Sequence, residues 1–132
     1  MMSEIGINEK FTLDPQNRYE VITNHHLECE MHLIATAANG RETPFYSGYS
    51  PQFHWCKNDS SDWSCSVYVK GNIAFPGEQY RAKIELNGNA VLYMSRIGLS
   101  IGHQFAIREG YRIIAVCKVT KVADEILRSK ES

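Results

Sequence analysis

Apolar and polar residues alternate with a period of two along most of this chain. In 27–33, Leu27, Cys29, Met31 and Leu33 alternate with Glu28, Glu30 and His32. In 63–69, Trp63, Cys65, Val67 and Val69 alternate with Ser64, Ser66 and Tyr68. In 79–86, Tyr80, Ala82, Ile84 and Leu86 alternate with Gln79, Arg81, Lys83 and Glu85. A strand turns successive side chains to opposite faces, so each run predicts one buried face and one wet face. Shorter candidate strands lie at 52–56, 90–94 and 104–108. A longer one lies at 111–120, where Ile113, Ala115, Cys117 and Val119 are expected to share a buried face. Turn signals separate the runs at Asn39-Gly40, Pro76-Gly77, Asn87-Gly88 and Glu109-Gly110. Asn87-Gly88-Asn89 reads as a tight hairpin, because Asn and Gly tolerate positive φ. Six or seven short strands without a long helix predict an all-β antiparallel barrel or sandwich, and closure would remove exposed edges.

The ends read differently. Phe11 to Leu13 and Tyr19 to Ile22, joined by Asp14-Pro15-Gln16-Asn17, fit either a small hairpin or a loose arm. Val122 to Arg128 fits one or two helical turns, and Ser129 to Ser132 a frayed tail. The expected organisation is an arm or hairpin at 1–24, a barrel at 25–122 and a tail at 123–132. Met1-Met2 and the polar tail are read as the two ends of a complete small gene.

Composition narrows the function classes. With 132 residues, 43% hydrophobic and 22% charged, the chain suits one globular domain. The net charge is −1. Residues 25–122 hold ten Lys or Arg against eight Asp or Glu, so the centre is only mildly basic. That is not the strongly basic footprint of a typical nucleic-acid binder. No run approaches a membrane span, and no signal peptide is visible, so a cytoplasmic protein with no membrane partner is expected.

Candidate chemistry is sparse. Cys29-x-x-His32 lies near His25 and His26, but the ligand spacing is incomplete and no metal site is expected. Cys29, Cys65 and Cys117 read as small core residues. Asn58-Asp59-Ser60 fits a glycosylation sequon but is read as a turn. His54 and Cys56 share a strand face by spacing, yet no third orienting group completes a nucleophilic site. Neither a phosphate loop nor a nucleophile elbow occurs, so no nucleotide, cofactor or catalytic residue is expected.

Three ordered segments carry a resemblance. They are Gly40-Arg41-Glu42-Thr43-Pro44-Phe45 running on to Gly48-Tyr49-Ser50-Pro51-Gln52-Phe53, then Phe75-Pro76-Gly77-Glu78, then Phe105-Ala106-Ile107-Arg108-Glu109-Gly110-Tyr111-Arg112. Together they resemble the third, C-terminal domain of translation elongation factor Tu. That family reads much like Gly-Arg-His-Thr-Pro-Phe, Gly-Tyr-Arg-Pro-Gln-Phe, Met-Pro-Gly-Asp and Phe-Ala-Ile-Arg-Glu-Gly-Gly-Arg. The resemblance spans about residues 25–122 and implies a closed, Greek-key-like barrel of six antiparallel strands. The GTPase domain and second barrel that precede it in the full factor have no counterpart in these residues.

In the family this barrel contacts the T-stem of aminoacyl-tRNA, packs on the GTPase domain and docks the nucleotide-exchange factor. By motif alignment, the positions resembling RNA- or partner-contacting ones are Arg41, Glu42, Gln52, Ser61, Glu109 and Gly110. The chain also departs from the pattern. Glu42 stands where the family has His, and Ser50 and Cys56 stand where it commonly has Arg. Two cations are lost and an anion gained along the implied phosphate track, so aminoacyl-tRNA is expected to bind weakly or not at all. The connection between Asn87 and Phe105 is longer than in the family. The added stretch, Tyr93 to Gly102, is either a contact surface or, as expected here, an extended hairpin packed on its own barrel. The leading expectation is a non-catalytic protein-binding module: a mimic, decoy or immunity protein, or regulator. Its partner would be a protein of the translation machinery or a toxin targeting it. The alternatives are an RNA-binding accessory of translation and an enzyme built on the same barrel.

Overall fold

The alternating runs become the staves of one closed barrel. The computed structural model describes residues 18–55 and 63–127. Its strands are β1 (Leu27–Leu33), β2 (Phe45–Tyr46), β3 (Gln52–His54), β4 (Trp63–Val69), β5 (Ile73–Ala74), β6 (Gln79–Leu86), β7 (Gln104–Glu109) and β8 (Arg112–Val122). A helix, α1 (Gly88–Ile97), lies between β6 and β7. The barrel closes in the order β1-β6-β4-β3-β7-β8, every pairing antiparallel, while β2 and β5 form a separate two-stranded ribbon. This is the six-stranded antiparallel barrel that the resemblance implied, and one of the two architectures, barrel or sandwich, that the periodicity allowed.

Register aligns the inward rows. Leu27 lies opposite Ile84, which lies opposite Val67. Cys29 lies opposite Ala82, which lies opposite Val69. These residues are fully or almost fully buried, with Met31, Leu33, Phe53 and Ile107 among them. Each large apolar side chain so buried contributes about 1.5–3 kcal/mol. The outward rows carry Glu28, Glu30 and His32 on β1 and Lys83 and Glu85 on β6, as the alternation requires.

Four expectations are corrected. The run 90–94 is not a strand, and Asn87-Gly88-Asn89 is not a hairpin. The side chain of Asn87 accepts the Ala90 N–H at 2.8 Å and so caps α1. Ala90 and Met94, four residues apart, are buried on one helix face, and Tyr93 stacks on Trp63 with ring centroids 5.2 Å apart. The added stretch therefore packs on its own barrel as a helix, with Leu99 fully buried, rather than as an extended hairpin. Finally, Ile113 does not share the inward face of β8. The ladder with β7 slips between Ile107 and Arg108, which lie opposite Ala115 and Ile113, so Ile114 is an extra residue. Such a bulge breaks the alternation. Ile114 and Ala115 both turn inward, and Ile113 is left 46% exposed.

At the N-terminal side, residues 18–21 make a helical turn, not half of a hairpin. Lys83 Nζ donates to the Tyr19 carbonyl at 2.8 Å, and the Tyr19 N–H donates to Asn72 Oδ1 at 3.0 Å. Phe11 to Leu13, the expected turn at Asn58 to Ser60, and the tail beyond Leu127 lie outside the described residues. A short 3-10 turn over Glu125–Leu127 matches the helical expectation for the C-terminal side. Among the described residues no helix is long and apolar enough to cross a membrane.

Candidate binding face

The face begins where the loop after Gly40 meets the turn between β7 and β8. Gly40 permits a close approach: a Cβ there would lie 2.0 Å from the Ile34 carbonyl oxygen. Gly110 takes a φ of 61° and turns β7 into β8. Pro44 and Pro51 restrict the loop between these points, in which Phe45 and Tyr49 stack with centroids 4.6 Å apart.

Arg41 ties the loop to the turn. Its Nε donates to the Thr43 carbonyl at 3.1 Å. One terminal nitrogen, Nη2, reaches Thr43 Oγ1 at 3.2 Å and the Pro44 carbonyl at 3.4 Å. The other, Nη1, reaches the Tyr49 hydroxyl at 3.1 Å and the carboxylate of Glu109. A guanidinium has five N–H bonds, and here five acceptors surround it. Its carbon also lies 4.9 Å from the centre of the Tyr49 ring. Glu109 is equally engaged. One carboxylate oxygen accepts from Arg41 and from the Tyr49 hydroxyl. The other accepts from Arg112 Nη2 at 3.1 Å, and Arg112 Nη1 donates to the Gly40 carbonyl at 3.4 Å. Arg41 and Glu109 have side chains only 19% and 24% exposed, which strengthens the pair relative to an ion pair in open water.

The structure thus brings Arg41, Glu109 and Gly110 together. Glu42 is exposed, next in sequence to the brace. Gln52 sits on the neighbouring strand, opposite Arg108 on one side and Ser64 on the other. Its Oε1 is buried with no hydrogen-bond partner among the described residues. Ser61 and Cys56 lie outside the described residues.

Four functional candidates were not singled out from the sequence. Tyr49 and Arg112 complete the brace. Arg108 reaches His54 Nδ1 at 3.4 Å, and its guanidinium carbon lies 5.9 Å from the Tyr111 ring centre. Tyr111, at the tip of the turn, is 98% exposed. The available signal was its position, because the resembled motif has glycine there.

Burial raises the pKa values of the Cys65 and Cys117 thiols and keeps them protonated, with the Cys29 thiol adding to both shifts. Among the described residues no three His, Cys, Asp or Glu side chains group as a metal site. A family model described as the elongation factor Tu C-terminal domain matches residues 20–123 of this chain.

Proposed function

The chain belongs to the elongation factor Tu C-terminal domain family, and on that premise we propose that it is a protein-binding mimic of that domain. The family's domain is a non-catalytic β-barrel of a translation factor, so the partner proposed is a protein. That protein is a component of the translation machinery, a regulated partner or a toxin directed at it, met in the cytoplasm. Residues 25–122 form the binding unit in this reading.

The observation that carries the proposal is the occupied guanidinium of Arg41. All five of its N–H bonds already face protein acceptors, so a phosphate could recruit it only by breaking the brace. Glu42 adds repulsion next to it. Lost phosphate contacts reduce both the affinity and its salt dependence, by roughly 0.7–0.9 units of slope for each contact. The second reading, a tRNA-binding accessory, is favoured by the convergence of Arg41, Glu109 and Gly110 with the exposed ring of Tyr111, since unstacked bases accept aromatic partners.

A salt titration of binding to aminoacyl-tRNA separates the two. The expected outcome is no sub-micromolar binding at physiological salt and a shallow slope. Sub-micromolar affinity with a steep slope would replace the mimic by the RNA reading.

A further inference from the structure

We propose that the outer face of the β2–β5 ribbon is the docking site of this chain's own N-terminal segment, through Phe11 and Leu13. The inference does not depend on the protein-binding reading. The ribbon is apolar on both sides. Phe45 lies opposite Ala74, and this pair is buried in the core. Tyr46 lies opposite Ile73 on the other side, as the period of two requires. Pro44 and Phe75, one residue outside β2 and β5, fall on that same side by the same period. Tyr46 is 60% exposed and Phe75 48%, while Ile73 and Pro44 are half-buried. A lone exposed apolar residue is ordinary, but four on one side of a two-stranded ribbon mark a contact surface.

The place where the chain joins the barrel selects the occupant. Arg18, where the described residues begin, donates from Nη1 to the Ser47 carbonyl at 3.1 Å. The Tyr19 N–H donates to Asn72 Oδ1 at 3.0 Å. The Ser47 N–H donates to the Asn72 carbonyl at 3.1 Å, so Ser47 and Asn72 extend the ribbon by one rung. The chain before Arg18 therefore departs from the rung next to Tyr46 and Ile73. Residues 14–17 separate Leu13 from Arg18. Five residue steps span up to about 17 Å, several times the rise of about 3.3 Å between rungs. Phe11 and Leu13 are two residues apart, as are Pro44 and Tyr46 on one strand and Ile73 and Phe75 on the other. Two apolar side chains thus match two apolar rungs, and Phe11 brings an aromatic ring to Tyr46 and Phe75. Phe11, Thr12 and Leu13 carry no charge, and neither do the four ribbon residues, so the contact leaves no ion unpaired.

The test uses the full chain with a photoreactive benzoylphenylalanine placed at Tyr46. Irradiation of dilute protein is expected to join position 46 to residues 1–17 of the same molecule, identified by peptide mass mapping of the monomer. Phe11→Asp together with Leu13→Asp leaves the segment tethered but should abolish that product, while circular dichroism remains that of the folded barrel. A second measurement needs no label. Nitration of Tyr46 by tetranitromethane should be slow in wild type and severalfold faster in the double variant. Tyr111, 98% exposed, should react at one rate in both and serves as the internal reference. Three results would overturn the proposal. Crosslinks between molecules that grow with concentration would give the face to a second copy. A product that persists in the double variant would show tethering without docking. Nitration of Tyr46 as fast as that of Tyr111 in wild type would leave the ribbon bare for a separate partner. None of these results decides the mimic reading, which the tRNA titration tests.

Discussion

β1 and β8 are hydrogen-bonded neighbours, yet they meet water in opposite ways. Inward, both are alike: Leu27, Cys29, Met31 and Leu33 face Ala115, Cys117, Val119 and Val122 across a shared ladder. Outward, β1 presents Glu28, Glu30 and His32, a row suited to solvent. β8 presents Ile113 and Val116, with Tyr111 at its turn. Barrel closure demands the inward rows and places no such demand on the outward ones. Single exposed apolar residues are ordinary. A cluster beside an almost fully exposed tyrosine is not, and it marks a part of the surface that the fold does not explain.

The largest test of this contrast compares the two sides of one ladder. Met31→Ala, inward on β1, should cost about 2–5 kcal/mol in chemical denaturation. Val116→Ser, outward on β8 opposite His32, should cost less than about 0.5 kcal/mol. Equal costs would mean that the β8 exterior is packed structure, not a free face.

Next comes the brace beneath the tip. Arg41→Ala leaves Glu109 with only Tyr49 and Arg112 and strips the loop acceptors of their donor, and should lower stability by about 1–3 kcal/mol in a urea titration. Arg112→Ala, at a side chain 39% exposed, should cost about 0–1 kcal/mol. An Arg41 variant as stable as wild type would show that the loop holds itself.

A smaller effect concerns acid and the seam of β1 with β6. The Leu86 N–H donates to His26 Nδ1 at 2.9 Å, so that nitrogen must be unprotonated. Burial pulls the imidazole below its ordinary 6.5, against the opposing pull of Asp124 and Glu85 and with help from His25. The unfolded chain therefore takes up the proton first. This contribution to stability is complete above pH 6.5 and is lost as pH falls below it. His26→Gln should flatten that part of the stability profile, measured by unfolding at a series of pH values.

The smallest expected change in stability is at the tip. Tyr111→Gly should alter stability in chemical denaturation by less than about 0.5 kcal/mol.

The barrel was legible because its residues speak locally. β1, β4 and β6 begin and end where the alternation does, since one face of each is buried along most of its length. The helix was hidden by two ambiguities. Asn opens tight turns and also caps helices, and an apolar run as short as 90–94 fits either period. The bulge at Ile114 is a property of two paired strands, so nothing in 111–120 alone reveals it. The ribbon of β2 and β5 is too short to carry a pattern. At the candidate face, the motif located Arg41, Glu109 and Gly110 together. It did not reveal that Arg41 and Glu109 are bound to each other, because that contact joins residues far apart in sequence. Tyr111 departs from the glycine of the resembled motif, but its exposure is a property of the folded turn.

The central claim is that this barrel engages a protein rather than tRNA. It is tested most directly by affinity capture from cell lysate, quantifying both proteins and RNA. The account predicts one dominant protein and no enrichment of tRNA. Enrichment of tRNA with no dominant protein would contradict it.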